Sequence, residues 1–255
     1  AELIIIAARP GMGKTALALN IVNHVALKEK RPVLFFSLEM PATQLGMRML
    51  CIETMIDSQL VRTGYIKSED MHKLIETTSR LSKASIFIDD SPSSTVLQMR
   101  AKARRLAQKH KNLGVIVVDY LQLITGTNPR VDRHLQIAEI SRFLKQLARD
   151  LEVPVIALSQ LSRQVEHRTD QRPTLADLRE SGAIEQDADV VMFIYREEKV
   201  KKETERRGIA DVIVAKQRNG PVGEVPLMFW EKHTRFGDLE EVHKYEPVGP
   251  DYEVQ

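Results

Sequence analysis

The sequence has little cysteine and no long apolar run. Cys51 is the only cysteine among 255 residues, so the chain can form no internal disulfide and no cysteine-rich metal site, as expected in a reducing compartment. No apolar run approaches the roughly 20 residues that span a bilayer. The opening run "LIIIAA" is too short for the apolar core of a signal peptide. We therefore expect a cytoplasmic protein without a membrane segment.

The sequence also lacks a strong excess of charge of either sign. Lys and Arg together number 37, Asp and Glu number 35, and the net charge is +2. This balance excludes a histone-like protein with a strong basic excess. If the chain binds nucleic acid, it must do so through local patches of positive charge.

What the sequence does have is an alternation of apolar runs and helical segments. Six runs are apolar enough for buried strands: "ELIIIAA", "VLFFSLE", "ASIFIDD", "GVIVVDYLQLI", "VPVIALSQ" and "ADVVMFIYR". This pattern predicts an α/β fold with a mostly parallel, twisted sheet and helices on both faces. Near the end, "IADVIVA" and "EVPLMFW" flank Asn219-Gly220, which favours a tight hairpin turn because both residues tolerate positive φ. We expect this hairpin to add antiparallel strands at one edge.

Two helical segments have apolar residues at helical spacing, which predicts their buried sides. One side comprises Ile137, Ile140, Leu144, Leu147 and Leu151. The other belongs to the basic segment "RAKARRLAQKHK" and its preceding turn, and comprises Val96, Leu97, Met99, Ala103, Leu106 and Ala107. Its basic residues then form a solvated face. Residues 1–255 are expected to form one domain, and since a core strand begins without an initiator methionine, we expect upstream sequence to be missing.

The strongest chemical signal is "ARPGMGKT", residues 8–15, between the first apolar strand and a helix. It matches the phosphate-loop pattern G-x-x-x-x-G-K-[ST] except that Ala8 replaces the first glycine, and alanine is allowed where φ stays negative. Backbone N–H groups at such a loop face an anion, and the helix dipole adds to the attraction. Lys14 would contact the β- and γ-phosphates, and Thr15 would hold Mg²⁺. The predicted nucleotide-binding residues are Ala8, Arg9, Pro10, Gly11, Met12, Gly13, Lys14 and Thr15.

Polar side chains follow at the ends of other predicted strands. Asp119 ends "VIVVD", Glu39 ends "VLFFSLE" and Gln160 ends "VPVIALSQ". Ligands bind at the carboxyl ends of strands in open α/β folds. Asp119 is therefore expected to hold Mg²⁺, Glu39 to activate the attacking water and Gln160 to sense the γ-phosphate. Two alternatives stay open. Glu39 could be an acidic residue in the first turn of the next helix, where it would favour the helix dipole. Asp89 and Asp90, which end "SIFIDD", either compete with Glu39 for the role of base or cap the next turn.

Two polar segments, residues 125–134 and 161–186, are expected to leave the same edge of the sheet. Their arginines are Arg130, Arg133, Arg163, Arg168, Arg172 and Arg179. They contain no aromatic residue, whereas non-specific single-strand binders commonly stack bases on aromatic side chains. If these segments bind nucleic acid, they should grip its phosphate backbone without reading its sequence. Their mixed charges leave ordinary solvated loops as the alternative.

The hairpin carries two cations just before its turn. Lys216 and Arg218 are two residues apart, so on a strand their side chains point to the same face. No acidic residue is evident beside them in the sequence. The turn accounts for Asn219-Gly220, but it does not account for two exposed cations.

An ordered set of segments carries a family resemblance: "ARPGMGKT", "FFSLEM", "VIVVDYLQLI", "PVIALSQLSR", "DLRESGAIEQDADVV" and "AKQRNGPVG". From the first strand to about Glu240, the chain resembles the carboxyl-terminal motor domain of the DnaB family of bacterial replicative DNA helicases. The resemblance implies a RecA-like domain that hydrolyses ATP with Mg²⁺ in a homo-hexameric ring around single-stranded DNA. It also implies primase and helicase-loader partners at the replication fork. The family's amino-terminal domain and linker helix have no counterpart in this sequence, which leaves ring formation by this chain alone open.

The resemblance also assigns roles to the residues at the strand ends and the phosphate loop. Lys14 and Thr15 match the family's phosphate and Mg²⁺ residues, and Asp119 matches its Mg²⁺ aspartate. Glu39 resembles the catalytic glutamate, and Gln160 resembles the γ-phosphate sensor.

Two further sets of residues are assigned in the same way. Arg179, Glu180 and Gly182 match the family's DNA-backbone loop, whereas Lys216 and Arg218 match residues that enter the neighbouring subunit's ATP site. A RecA-like recombinase would share the phosphate loop but pair DNA strands, and "SLEM" and "KQRNGPVG" argue against it. A scaffold that binds ATP without turnover is disfavoured by Glu39 and Arg218.

Overall fold

A computed structural model describes residues 1–92, 95–126, 131–201 and 203–239. The strands are β1 (Leu3–Ala8), β2 (Val33–Ser37), β3 (Ile86–Asp89), β4 (Val115–Asp119), β5 (Val155–Gln160), β6 (Val190–Tyr195), β7 (Ile209–Gln217), β8 (Gly223–Trp230) and β9 (Arg235–Gly237). The α-helices are α1 (Lys14–Asn23), α2 (Ala42–Thr54), α3 (Ser58–Thr63), α4 (Ser68–Lys83), α5 (Val96–Lys109), α6 (Arg133–Leu151) and α7 (Gly182–Asp187). None of the helices in these residues is both long and apolar enough to cross a membrane.

The strands form one sheet in the order β3-β2-β4-β5-β1-β6-β7-β8-β9. Pairing is parallel from β3 to β6 and antiparallel from β6 to β9. The predicted parallel sheet with an antiparallel edge is confirmed. The register aligns Ala8 of β1 with Gln160 of β5, and Ser37 of β2 with Asp119 of β4. The carboxyl ends of the central strands therefore meet at one edge.

Helices cover both faces of the sheet, as predicted. Because side chains alternate along a strand, Leu3 and Ile5 of β1 pack in one apolar cluster and Ile6 in the other. Helices α5 and α6 contribute to the first cluster, and α1 and α2 to the second. This alternation explains why the central strands are apolar on both sides.

The predicted buried sides of the two amphipathic helices are largely confirmed. In α6, the residues Ile137, Ile140, Leu144 and Leu147 are buried, and Leu151 packs at the margin of the cluster. In α5, the prediction for Leu97 is wrong, because its side chain is 66% exposed. Val96 and Met99 are buried, and a residue one position after Val96 points about 100° away around the helix.

The connection between β7 and β8 differs from the predicted tight turn. The last β7–β8 pair is Val214 with Gly223, and neither Asn219 nor Gly220 adopts positive φ. Strand β7 pairs with β6 from Asp211 to Gln217, and beyond Val214 it pairs with β6 alone, with Lys216 opposite Val191. The turn is wider because β7 follows β6 past the start of β8.

Candidate active site

The phosphate loop joins β1 to α1 with two glycines in the left-handed region. Gly11 has φ +77° and Gly13 has φ +103°, a conformation that side chains with a Cβ rarely adopt. A Cβ at Gly13 would also lie 3.1 Å from Cζ of Phe236. Phe236 packs against Phe229 with ring centroids 4.5 Å apart. Strands β8 and β9 thus pack against the loop, and the positive φ at position 13 favours glycine there.

A cavity of about 330 Å³ opens at the loop. Its lining residues are Ala8, Arg9, Pro10, Gly11, Gly13, Lys14, Thr15, Ala16, Glu39, Met40, Arg48, Gln160, Arg196, Phe229, Glu231 and Thr234. The lining includes every predicted nucleotide-binding residue except Met12. The Met12 side chain packs in the apolar cluster under α1, and its N–H donates to the Arg9 carbonyl at 3.3 Å. Met12 therefore anchors the loop to the apolar core instead of lining the cavity.

Lys14, Thr15 and Asp119 form the polar centre of the site. The Thr15 hydroxyl donates to Oδ2 of Asp119 at 2.7 Å, and Nζ of Lys14 lies 3.7 Å from Oδ1 of the same carboxylate. Lys14 also lies over the ring of Tyr120, with Nζ 4.3 Å from the centroid. Burial lowers the pKa of Lys14, while the nearby charges of Asp119 and Glu39 oppose that shift. The net lowering of its pKa shows that these two carboxylates only partly offset the burial of the Lys14 charge, so an anionic ligand would stabilise it further.

The donor set around Thr15 fits Mg²⁺. Asp119 is fully buried, and its Oδ1 atom has no hydrogen-bond partner. Mg²⁺ commonly binds through one or two protein oxygens, substrate phosphates and water. Among the described residues, no group of three or more His, Cys, Asp or Glu side chains could hold a metal ion, so the site does not resemble a protein-only metal cage.

Glu39 and Gln160 line the cavity from two different strands. Glu39 follows β2, which lies beside the Asp119 strand β4, and Gln160 ends β5, which lies beside the phosphate-loop strand β1. Glu39 is exposed in the bend between β2 and α2, and α2 has no acidic residue in its first turn, so the alternative of a first-turn helix glutamate is wrong. The bend is fixed because the Leu38 N–H donates to the Asp119 carbonyl at 2.8 Å. Gln160 lies at the end of β5, beside the Ala8 end of β1. Both predicted side chains therefore line the cavity with the phosphate loop.

Asp89 and Asp90 are used elsewhere. Neither lines the nucleotide cavity. Oδ2 of Asp90 accepts a hydrogen bond from the Ala42 N–H at 2.8 Å, and Asp89 forms a 2.5 Å ion pair with Lys102. The prediction that these aspartates cap the next turn is correct for Asp89, whose Oδ1 accepts from the Ser91 N–H at 3.2 Å, whereas Asp90 caps the start of α2. Glu39 is the strand-end carboxylate that lines the cavity.

Sequence reasoning missed the far wall of the cavity, which is centred on Arg196. Its side chain is 1% exposed, and it donates to the Gly11 carbonyl at 3.2 Å and to Glu231 at 3.1 Å. The guanidinium also lies over the Phe229 ring, 4.5 Å from the centroid. Arg196 follows β6 at the same edge as Asp119 and Gln160, so the strand-end argument could have found it. Arg48, Glu231 and Thr234 carry no comparable sequence signal.

Lys216 and Arg218 lie outside this cavity, at the carboxyl end of α7. Nζ of Lys216 donates to the Glu185 carbonyl at 2.5 Å, and Arg218 donates to the Gln186 carbonyl at 2.7 Å. Their shared direction is therefore confirmed. The expectation that no acid lies beside them is wrong, because Oδ1 of Asp189 lies 3.5 Å from Nε of Arg218. Asp189 is far from Arg218 in sequence and adjacent only in the sheet.

The residues of the predicted DNA-backbone loop fall in the short helical turn Leu175–Ser181 and at the start of α7. Gly182 is the first residue of this helix and is exposed; the side chains of Arg179 and Glu180 lie outside the described part of the structure, as does Arg130. Of the other arginines in the two polar segments, Arg168 and Arg172 pair with acids of their own chain. The polar segments are therefore partly braced by internal ion pairs.

A parallel sheet with a phosphate loop at the carboxyl end of a central strand, and Thr15 bonded to Asp119, defines a phosphate-loop nucleotide-binding α/β protein. Residues 1–238 match the family model of the DnaB-like helicase C-terminal domain. The chain belongs to this family, and the resemblance seen in the sequence is confirmed.

Relatives and solved structures agree with this assignment. The chain is 55% identical over 240 residues to the replicative DNA helicase DnaB of Geobacillus stearothermophilus, covering 94% of this chain and 53% of that protein. The replicative DNA helicase DnaC of Bacillus subtilis (strain 168) gives the same values. The chain thus spans about half the length of these curated relatives.

Among solved structures, one isolated ATPase domain superposes with a TM-score of 0.90 at 41% identity, covering 93% of this chain and 84% of that one. A second match is the structure of a DnaB-like replicative helicase that was studied with its interactions with primase. It gives a TM-score of 0.90 at 41% identity, covering 93% of this chain and 57% of that one. The mostly parallel sheet with antiparallel strands at one edge is the fold of DnaB-type ATPase domains.

Proposed function

We propose that this chain is the ATP-driven motor of a bacterial replicative DNA helicase, which moves along single-stranded DNA and separates duplex strands as a homo-hexameric ring. The proposal depends above all on one observation: Lys14, Thr15, Glu39 and Gln160 line one cavity, with Asp119 bonded to Thr15. The names of the relatives, replicative helicases from two bacteria, support the biological role.

The phosphate loop would bind ATP through backbone N–H groups at the start of α1 and through Lys14. Thr15 and Asp119 would hold Mg²⁺, which when bound neutralises charge on the β- and γ-phosphates. Lys14 is already desolvated, so its charge would act on the phosphates in a low-dielectric site, where it has a larger effect than in water. These residues supply binding and charge stabilisation.

Glu39 would orient the attacking water and accept its proton, while Gln160 would respond to the γ-phosphate. Glu39 is exposed on the cavity wall, where water can reach it, and its charge is close enough to affect the pKa of Lys14. Gln160 leads directly into the polar segment 161–186. Arg9 ties the phosphate loop to that segment, since its side chain donates to the Leu161 carbonyl at 2.8 Å and to Glu166 at 2.9 Å.

Arg218, supported by Lys216, would act on the ATP of the next subunit. Neither residue lines the cavity of its own chain, and the Arg218 side chain is 49% exposed. An arginine supplied in trans can raise phosphoryl-transfer rates about 10³- to 10⁵-fold. This division of the catalytic residues between two copies is what favours a ring over an isolated subunit.

The DNA contact is assigned to Arg179 and Glu180 in the short helical turn Leu175–Ser181 and to Gly182 at the start of α7, with the phosphate backbone as the target. Exposed Gly182 lets a phosphate approach the main chain closely. By the same family relationship we propose primase and a helicase loader as partners, at the replication fork in the bacterial cytoplasm. One solved relative was studied for its interactions with primase, which supports the first of these partners.

The deciding experiment measures single-strand-stimulated ATP hydrolysis and fork unwinding by the full-length protein. We expect both activities, and we expect Lys14→Ala to abolish both by removing the phosphate contact. Robust unwinding by Lys14→Ala would overturn the motor proposal. Strand pairing without unwinding would indicate a recombinase, and nucleotide binding without turnover would indicate a scaffold.

A further inference from the structure

Strand β5, which ends at Gln160, stops pairing with β4 before it reaches the cavity. Strand β4 pairs with β5 only as far as Val118 opposite Ala157. On the other side, β1 continues to pair with β5 up to Ala8 opposite Gln160. The N–H and C=O groups of Gln160 therefore need other partners on the β4 side, since buried peptide groups without partners are costly.

The side chain of Gln122 supplies those partners. Its Oε1 atom accepts from the Gln160 N–H at 3.2 Å, and its Nε2 donates to the Gln160 carbonyl at 3.1 Å and to the Ser159 hydroxyl at 3.0 Å. A primary amide offers both a donor and an acceptor, as a peptide group does. The amide of Gln122 thus takes the place that a further residue of β4 would have beside Gln160, at the end of β5.

Gln122 is itself held in place by the first residue of α6. Arg133 donates to the Gln122 carbonyl at 2.7 Å and to the Gln136 side chain at 2.8 Å. Gln122 lies in the short helical turn Leu121–Leu123, directly after Asp119 and Tyr120. A continuous series of hydrogen bonds therefore runs from the start of α6 through Gln122 to Gln160.

We infer that Gln122 is a positioning residue for Gln160, and that Arg133 positions Gln122 in turn. This inference rests on the proposed function, in which Gln160 contacts the γ-phosphate. The amide of Gln122 fixes the backbone from which the Gln160 side chain projects into the cavity. Small misplacements of a catalytic group can cost about 100-fold in rate, whereas the phosphate contacts proposed for Lys14 and the N–H groups at the start of α1 come from a different element than β5. Loss of Gln122 should therefore lower turnover without weakening nucleotide binding.

The test compares Gln122→Met with Gln122→Glu in the full-length protein. Methionine keeps the length but removes all three hydrogen bonds, while glutamate keeps the acceptor for the Gln160 N–H and loses both donor bonds. We expect kcat for single-strand-stimulated ATP hydrolysis to fall about tenfold for Gln122→Met and less for Gln122→Glu, with KM and nucleotide affinity within about twofold of the parent. Gln146→Met, the same change at an exposed position of α6, should leave kcat unchanged.

A double-mutant cycle separates positioning from a general structural role. In a Gln160→Ala background, Gln122→Met should cause no further loss of kcat, because the side chain that it positions is absent. An equal loss in both backgrounds, or a parent-like kcat for Gln122→Met, would overturn the inference. If Gln122→Met does not fold, the same double-mutant cycle is measured with Gln122→Glu in its place.

The outcomes also separate this inference from the proposed function. If Gln160→Ala lowers kcat but Gln122→Met does not, only the positioning role is wrong. If Gln160→Ala leaves kcat unchanged, the sensor assignment fails and the positioning role fails with it.

Discussion

Two regions of the molecule place cations at the end of a helix, and they do so in opposite ways. At the phosphate loop, Lys14 begins α1 and lies near Asp119 and Glu39 at a cavity. At the β7–β8 connection, Lys216 and Arg218 bind carbonyl groups at the end of α7. The first arrangement attracts an anion to a helix N-terminus, whereas the second satisfies the partial negative charge of a helix C-terminus.

In the first region, the predicted base and sensor share one cavity of this chain with the phosphate loop, whereas the proposed function places the target of Arg218 in a neighbouring copy. The predicted phosphate, Mg²⁺, base and sensor residues are close together around the cavity, whereas the predicted trans-acting cations are turned toward their own chain. Because a carbonyl and a phosphate oxygen both accept hydrogen bonds, α7 and a neighbour's phosphate would compete for Arg218. Since α7 begins at the proposed DNA loop, that competition would connect ATP state with DNA contact.

The largest expected effect tests the trans assignment. Arg218→Ala should keep nucleotide binding but lose turnover about 10³- to 10⁵-fold, as removal of an arginine finger does. Mixed rings of Arg218→Ala and Glu39→Gln subunits should recover activity, because some interfaces then combine both intact residues. ATPase assays across mixing ratios would check this, with Arg149→Ala, exposed on α6, as a matched control. Absence of rescue in rings shown to be mixed would count against action in trans.

The next effect tests which strand-end carboxylate is the base. Glu39→Gln should lower turnover about 10²- to 10⁴-fold, the range for a general base, with nucleotide affinity retained. Asp90→Ala should keep turnover and lose about 1 kcal/mol of unfolding free energy, because it removes a cap on α2. Single-turnover hydrolysis and denaturant titration measure the two quantities. A larger turnover loss for Asp90→Ala than for Glu39→Gln would reverse the assignment.

A third prediction uses the charge of Lys14. Its pKa is lowered from 10.5, chiefly by burial, and bound phosphates favour its protonated form. Nucleotide affinity should therefore be constant at neutral pH and fall by up to about tenfold per pH unit once the pH exceeds the lowered pKa. The measurement is a fluorescent-nucleotide titration from neutral pH to about pH 10.5, the ordinary pKa of lysine. Lys14→Arg, which stays charged throughout this range, should give a flat profile, and a flat profile for the parent would contradict the prediction.

The smallest effect concerns Lys216, whose role within its own chain is to bind α7. Lys216→Met should lower the free energy of unfolding by less than about 1 kcal/mol. The variant removes a hydrogen bond to α7, but it also relieves the burial and the Arg218 repulsion that lower the pKa of Lys216. Its turnover should fall less than that of Arg218→Ala. Urea unfolding and steady-state ATPase assays test both statements. Equal turnover losses for the two variants would make Lys216 a direct participant in the neighbouring site.

Much of the fold followed from local patterns, and the failures have physical causes. The alternation of apolar strands and helices predicted the sheet, its parallel part and its antiparallel edge. The prediction of a tight turn at Asn219-Gly220 was wrong because β7 continues to pair with β6 beyond Val214. The turn preferences of two residues carry no information about pairing with a distant strand. Arg196 could have been found with the other strand-end residues, but its contact with Gly11 and the approach of Phe229 to Gly13 depend on the order of strands in the sheet.

The phosphate loop, the class of fold and the residues at the strand ends could all be predicted from the amino-acid sequence, because they depend on neighbours along the chain and on the common direction of parallel strands. The choice between Glu39 and Asp90, the approach of Asp189 to Arg218 and the position of Gln122 beside Gln160 became known only from the folded chain. Those contacts join residues from separate elements, and their distances are set by sheet register and helix packing, which no local pattern encodes.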